Sequence, residues 1–224
     1  MTIPGARLLA NGAYAISIEL DTGLLGAKVL RVLADLSEEG VKIHPTTAQK
    51  ILLLDIAPER VTLYLRRLEE AGALIRRKGT SFQPRSCIGK PYCSKALQET
   101  FSLSKAIYHE FKGHPLVHKF KVAVAGCPAC CSWANTIDLG FVAQSTGYQV
   151  LVGGKGGYRP QAGTPLGKAR DIPEALVYMK AVLDFFNQYG EPKKRLGAIL
   201  QKTGVAPLER ILDRFLSKGA SQDF

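Results

Sequence analysis

Residues 119–141 read KFKVAVAGCPACCSWANTIDLGF, a strand-like run that breaks at a glycine into a cysteine-rich loop. Lys119, Lys121, Ala123 and Ala125 alternate with Phe120, Val122 and Val124. That alternation predicts a β-strand over 119–125 with both lysines on one face. Gly126 lets the backbone approach a bulky inorganic group, and Pro128 removes a donor and stiffens the loop. Cys127 and Cys131 form C-x3-C, and upstream Cys87 and Cys93 form C-x5-C within RSCIGKPYCSKA. Four thiolates in two close pairs near turns suit zinc, Cu(I) or an iron–sulfur cluster. The C-x5-C pair is loose for structural zinc, whose pairs are usually about two to four residues apart. Iron–sulfur sites use four cysteines at varied spacings. Three other readings stay open here: a Cys127–Cys130 redox dithiol, inert buried cysteines and structural disulfides.

The wider composition is that of a globular chain, with 46% hydrophobic and 22% charged residues over 224 positions. No apolar run is long enough to span a membrane. The start, MTIPGARLLANGAYA, lacks a charged segment followed by a long apolar one, so no signal peptide is expected. Clustered reduced cysteines then predict a cytoplasmic protein. The net charge of +11 suits a polyanionic partner. Nucleic acid is one such partner, an anionic cofactor or substrate is another, and a solvated basic surface accounts for part of the excess.

Residues 13–20, AYAISIEL, predict a strand, and 24–38 a helix with Leu25, Val29, Val32, Leu33 and Leu36 on one face, stopped at Gly40. Residues 50–56, KILLLDI, predict a buried strand. A second helix opening at Pro58 carries Val61, Leu65 and Leu68 and ends at Gly72. This β-α-β-α order fits half of a ferredoxin-like sandwich. VLRVLADLSEEG with PERVTLYLRRLEEAGALIRRKGT also reads as a winged-helix DNA-binding module, against which KILLLDI stands as a strand. Residues 76–86 form a basic linker, 94–112 a helix with Leu97, Phe101, Ile107 and Phe111 inward, and 148–152 a strand. GGKGGYRPQAGTPLGK then reads as a Gly-rich cationic loop of the kind that approaches anions. Residues 172–189 predict an amphipathic helix, followed by short helices near 193–203 and 207–217.

KFKVAVAGCPACC with IDLGF, the C-x5-C pair, HPTTAQKILLLDI and LVGGKGGYRPQAG occur in one order between about residues 12 and 215. Together they resemble the siroheme and [4Fe–4S] nitrite and sulfite reductase family, in its small, single-copy, assimilatory-type form. The resemblance implies an α+β protein. A ferredoxin-like N-terminal half, 1–78, would precede an α/β siroheme and [4Fe–4S] domain, 79–224. It implies six-electron reduction of sulfite, or alternatively of nitrite. A non-catalytic iron–sulfur redox protein is a further alternative, motivated by the departure at Ala48 described below. DNA binding becomes a minor reading.

The resemblance assigns Cys87, Cys93, Cys127 and Cys131 to the cluster, with Cys131 shared with siroheme. Lys119 and Lys121 correspond to the family's paired active-site lysines, and Arg85 is a further candidate cation for the anion or cofactor. Thr46, Thr47, Gln49, Gly153, Gly154, Lys155 and Arg159 are candidate cofactor contacts. The family's arginine between Thr47 and Gln49 is replaced by Ala48, and His44 and Lys42 are the candidates to stand in for it. Cys130 is a spare thiol. Electrons would come from an external donor such as a ferredoxin. A single-copy chain could act alone, or as a homodimer with the lysines reaching the partner's site.

Overall fold

The computed structural model describes residues 3–76 and 83–219, with side chains through residue 217. Two units divide the chain, Met1–Gln83 and Pro84–Phe224. The expected boundary at 78/79 and residues 77–82 of the expected linker lie outside the described residues.

The first unit is built on strands β1 (Ala6–Leu8), β2 (Tyr14–Glu19), β3 (Lys42–Thr46), β4 (Lys50–Ile56) and β5 (Leu74–Ile75), with helices α1 (Ala27–Glu38) and α2 (Val61–Glu70). The order from β2 onward is β-α-β-β-α-β, the full ferredoxin-like arrangement rather than half of it. All pairs are antiparallel: β2 lies beside β4, β4 beside β3, and β1 and β5 share the other edge of β2. The two strands that sequence reading omits here after α1 are edge strands. β3 carries Pro45, tolerated where a missing N–H breaks no central ladder. β5 has only two residues.

Of the expected α1 stripe Val29, Leu33 and Leu36 are buried, Val32 is partly buried and Leu25 precedes the helix; α2 buries Val61, Leu65 and Leu68 as expected and Tyr64 besides, all against Ile16, Ile18, Leu53 and Ile56 of the sheet. Each helix ends in a left-handed glycine, Gly40 and Gly72, which allows Val41 and Ala73 to return hydrogen bonds to Leu36 and Leu68 at 2.9 Å. The winged-helix reading fails at β4, a central sheet strand where that module would place a helix.

The second unit holds a sheet in the order β10 (Thr164–Ala169), β9 (Tyr148–Val152), β8 (Leu139–Ala143), β7 (Val122–Ala125), β6 (Arg85–Ser86). The β6–β7 and β7–β8 pairs are parallel, and the others antiparallel. A short turn, α3 (Gly89–Tyr92), and helix α4 (Phe101–Phe111) lie between β6 and β7, and α5 (Ile172–Tyr189), α6 (Leu196–Thr203) and α7 (Ala206–Gly219) follow the sheet. Helices α4 and α5 pack on the sheet, and α7 packs on α5. The α5 core residues include Met179, Val182, Phe185 and Phe186, with Phe186 meeting the Phe120 ring at 5.4 Å.

Four expectations are corrected in this unit. Helix α4 starts at Phe101, not 94, because the Glu99 carboxylate takes the amides of Phe101 and Ser102 and fixes the first turn there. Leu97, expected inward, precedes the helix and is exposed. The strand expected over 119–125 is confined to Val122–Ala125, and all four of its residues are buried, since parallel neighbours and packing cover both faces. The TPLGKA end of the expected Gly-rich loop is strand β10, whose pairing with β9 has a register shift between Pro165 and Gly167.

Candidate active site

Parallel pairing sets Arg85 beside Ala123 and Ser86 beside Val124, so β6 and β7 end together and release Cys87 and Gly126 side by side. The carboxyl ends of neighbouring parallel strands are where open α/β sheets bind ligands. Backbone bonds stitch the two cysteine loops to each other. The Gly126 amide donates to Cys87 Sγ at 3.0 Å. The Leu97 amide donates to the Gly126 carbonyl at 2.6 Å, and the Cys87 amide to the Val124 carbonyl at 3.2 Å. Within the first loop the Thr100 hydroxyl donates to the Cys87 carbonyl at 2.6 Å, and the Cys93 amide to the Gly89 carbonyl at 2.9 Å.

Five free thiols result: Cys87, Cys93 and Cys127 half-buried, Cys131 exposed and Cys130 buried. The disulfide reading does not hold for them. Among the described residues no three His, Cys, Asp or Glu side chains converge closely enough to hold a single metal ion. The donor set, four accessible thiols on two loops tied together at Gly126, fits the chemistry of a cluster, which takes four cysteine ligands. Cys130 is different. Its sulfur accepts the Asn135 amide at 3.3 Å, and burial pushes its thiol up. That is the reverse of the lowered pKa an attacking dithiol needs.

After Cys131 the chain doubles back along β7. The Ser132 hydroxyl donates to the Val124 carbonyl at 2.8 Å, and the Leu139 amide to the Lys121 carbonyl at 3.2 Å. Cys130, Ala134 and Ile137 of this return segment cover Ala123 and Ala125, the face that alternation assigns to the lysines. β7 and its return segment therefore form a ledge, with the cysteines past the carboxyl end of β7 and Lys121 just before its start. Trp133, on the return segment, is 47% exposed with φ of 60°, and the Arg85 guanidinium lies 5.4 Å from its ring centroid.

The cations interact. Burial first, then Lys119, Arg85 and Arg195, push Lys121 down to about 8, while Asp138 opposes them. Burial and Arg195 push Arg85 below its usual value. Asp138 is fully buried; burial pushes its carboxyl up, and Arg195 and the Lys121 amide pull it back. Sequence reasoning singled out Lys119, Lys121 and Arg85. It missed Arg195, Asp138 and Trp133: Asp138 and Trp133 stand inside the opening stretch, and Arg195 ends the basic run Lys193–Lys194–Arg195.

The glycine loop packs closely on the chain around it. Gly153 and Gly154 are buried. The Gly153 amide donates to the Asp138 carbonyl at 2.8 Å, and a side chain on Gly154 would meet the Ile137 nitrogen at 2.6 Å. Close chain-to-chain approach is what these glycines permit. Lys155 and Arg159 lie beyond them, exposed. Lys155 exchanges backbone hydrogen bonds with Gln161, and Arg159 lies over the Tyr158 ring.

Thr46, Thr47, Ala48 and Gln49 form the β3–β4 turn of the first unit. The Thr46 hydroxyl accepts the Ala48 and Lys50 amides at 3.3 and 3.2 Å, and Thr47 is exposed. Lys42 pairs with Asp55 at 2.8 Å, and Lys50 pairs with Glu19. Both lysines thus serve the first unit's own structure; His44 is exposed on β3.

The profile of the family described as nitrite and sulphite reductase 4Fe-4S domain matches residues 79–218. The chain is 27% identical over 210 residues to an NAD(P)H nitrite reductase of Bacillus subtilis, covering 93% of this chain but only 26% of that protein. It is 27% identical over 200 residues to the assimilatory-type sulfite reductase of Nitratidesulfovibrio vulgaris, covering 88% of this chain and 91% of that one. Its fold is shared with the NirA protein of Mycobacterium tuberculosis at a TM-score of 0.75 and 22% identity, over 93% of this chain and 41% of that one. No helix among the described residues is long and apolar enough to cross a membrane. With its two cysteine loops at the ends of parallel strands, this chain belongs to the nitrite and sulphite reductase 4Fe-4S domain family.

Proposed function

We propose that this protein is a sulfite reductase, reducing sulfite to sulfide by six electrons with a siroheme and a [4Fe–4S] cluster. The observation that carries the reading is the ledge along β7, with thiols at one end and Arg85, Lys119, Lys121 and Arg195 clustered toward the other. Cys87, Cys93, Cys127 and Cys131 would hold the cluster, with exposed Cys131 the residue shared with siroheme. When bound, these groups supply electrons singly and activate the oxyanion at iron. The chain's own residues do the rest. Arg85, Lys119 and Lys121 attract and orient the anion, and Lys121, titrating near 8, can give up a proton near neutral pH. Thr46, Thr47, Gln49, Lys155 and Arg159 are the further cofactor contacts, and Gly153 and Gly154 act by shaping the loop that carries Lys155. The anionic cofactor and substrate account for part of the +11 charge, and the remaining basic surface would steer an acidic ferredoxin-like donor. The free cysteines support a cytoplasmic location.

Sulfite is placed first and nitrite second, and relatives named for each anion match at 27% identity, so turnover on both decides the order. The test is anaerobic purification, an absorption spectrum with acid extraction of pigment, iron and sulfide assays, and turnover on both anions. Tetrapyrrole bands, about four irons per chain and sulfide formed from sulfite are expected. Faster nitrite turnover would reverse the substrate assignment. Cluster without extractable tetrapyrrole would make this a non-catalytic iron–sulfur protein. Sedimentation of the loaded protein, with mixed Cys131→Ser and Lys121→Met chains assayed together, separates a chain acting alone from a homodimer sharing its sites.

A further inference from the structure

Asp138 has no exposed surface, yet three separate segments converge on it. Its Oδ2 accepts the Lys121 amide at 2.8 Å. The Arg195 guanidinium grips both carboxylate oxygens, Nε donating to Oδ1 at 2.9 Å and Nη2 to Oδ2. Its main-chain carbonyl accepts the Gly153 amide at 2.8 Å. Arg195 in turn starts α6, where its carbonyl accepts the Ala198 amide at 3.0 Å. One residue thus ties together three segments: its carboxylate holds the chain just before β7 and the start of α6, and its main-chain carbonyl holds the turn after β9. A two-pronged guanidinium–carboxylate contact fixes direction as well as distance.

We infer that Asp138 and Arg195 are a positioning pair that fixes the main chain at Lys121 and sets the charge around its ammonium group. Neither residue touches substrate. The catalytic consequence rests on the reading of Lys121 given above; the pair itself stands on the geometry. The charged groups facing Lys121 are Lys119 on its own segment, Arg85 on β6, Arg195 at the start of α6, and Asp138 before β8. Asp138 is the acidic member of this set, so the two partners act on Lys121 with opposite sign. Removing either breaks the same contact. A merely structural pair would move the Lys121 titration the same way, or not at all, in both variants.

The test is 13C NMR of reductively methylated lysines in the full chain, with the Lys121 signal assigned by Lys121→Arg. Arg195→Gln is expected to raise the Lys121 midpoint and Asp138→Asn to lower it, each by on the order of one pH unit. Arg195→Lys keeps the charge but loses the fork. It is expected to leave the midpoint in place while sulfite turnover falls about ten-fold or more at unchanged KM. Shifts of one sign in Arg195→Gln and Asp138→Asn, or none, overturn the inference. So does an Arg195→Gln midpoint at the wild-type value, a result readable even if Asp138→Asn yields no folded protein. Absence of sulfite turnover in the wild type would sink the reductase reading but leave the titration result standing.

Discussion

The Gly126 amide donates to the Cys87 sulfur at 3.0 Å, joining the last residue before one cysteine pair to the first cysteine of the other. The contact is tight. A Cβ on Gly126 would lie 3.1 Å from Gly89 Cα, 3.3 Å from Ala96 Cβ and 3.3 Å from Cys87 Sγ. Gly126→Ala is therefore expected to push the loops apart, lowering iron and acid-labile sulfide per chain and costing about 1–3 kcal/mol of stability. Iron and sulfide assays beside a thermal melt check this. Full cluster content in the variant would show that the loops tolerate separation.

The five cysteines divide by surroundings. Cys87→Ser, Cys93→Ser, Cys127→Ser and Cys131→Ser are each expected to lose most of the bound iron. Cys130→Ser is expected to keep it, because that buried sulfur is occupied by the Asn135 amide and a hydroxyl can accept the same bond. Cys130→Ala would keep iron too but leave the amide unpaired, at about 1–3 kcal/mol. Iron content and a melt on the set decide it; iron loss in Cys130→Ser would make Cys130 a ligand.

What the sequence made legible has a physical pattern. Strands β4 and β9 and helix α5 lie at the positions read from their residues, 50–56, 148–152 and 172–189, because each buries enough apolar surface to carry its own periodic signal. Strands β3, β5, β6 and β10 left no such signal. β5 and β6 have two residues each, and β3 and β10 contain Pro45, Pro165 and Gly167. They are strands because a partner pairs with them, not because of their own propensity. The cysteine spacing pointed to a metal or cluster site directly. Arg195 could not be found that way, since its role depends on Asp138, 57 residues earlier in the chain, and in isolation it is one more cation in a basic tail. Gly153 and Gly154 carry a packing demand that the sequence does not show, since a Cβ on them would meet α6 and Ile137.

Trp133 is the chain's single tryptophan, so its fluorescence reports on the ledge alone. Arg85 lies over its ring, and that guanidinium is a natural partner for an incoming anion. Adding sulfite at constant ionic strength is expected to change the emission saturably as Arg85 turns to the anion. Arg85→Ala is expected to alter the starting emission and abolish the saturable response. An unchanged response in Arg85→Ala would remove Arg85 from anion binding.

Lys121 makes the sharpest pH prediction. Its folded pKa of about 8 lies below the ordinary lysine value of 10.5, chiefly through burial and then through Lys119, Arg85 and Arg195. A lysine depressed by folding binds fewer protons folded than unfolded between those two values, so stability rises with pH across that window. Below about 8 the ammonium is charged in both states, and its full penalty is present. Lys121→Met is therefore expected to raise Tm at pH 7, with the gain shrinking as pH climbs toward 10. The same charge is what the proposed reaction uses. Wild-type sulfite turnover should fall as pH rises through about 8 and the proton donor is lost. Lys121→Met should be slower at every pH, by about 100-fold or more, and should lack that limb. Melts and rates measured on the same two proteins from pH 6 to pH 10 test both halves. A variant less stable at pH 7 would mean that the Lys121 side chain contributes more through packing than burial of its charge costs. An unchanged alkaline limb in the variant would assign the proton to another group.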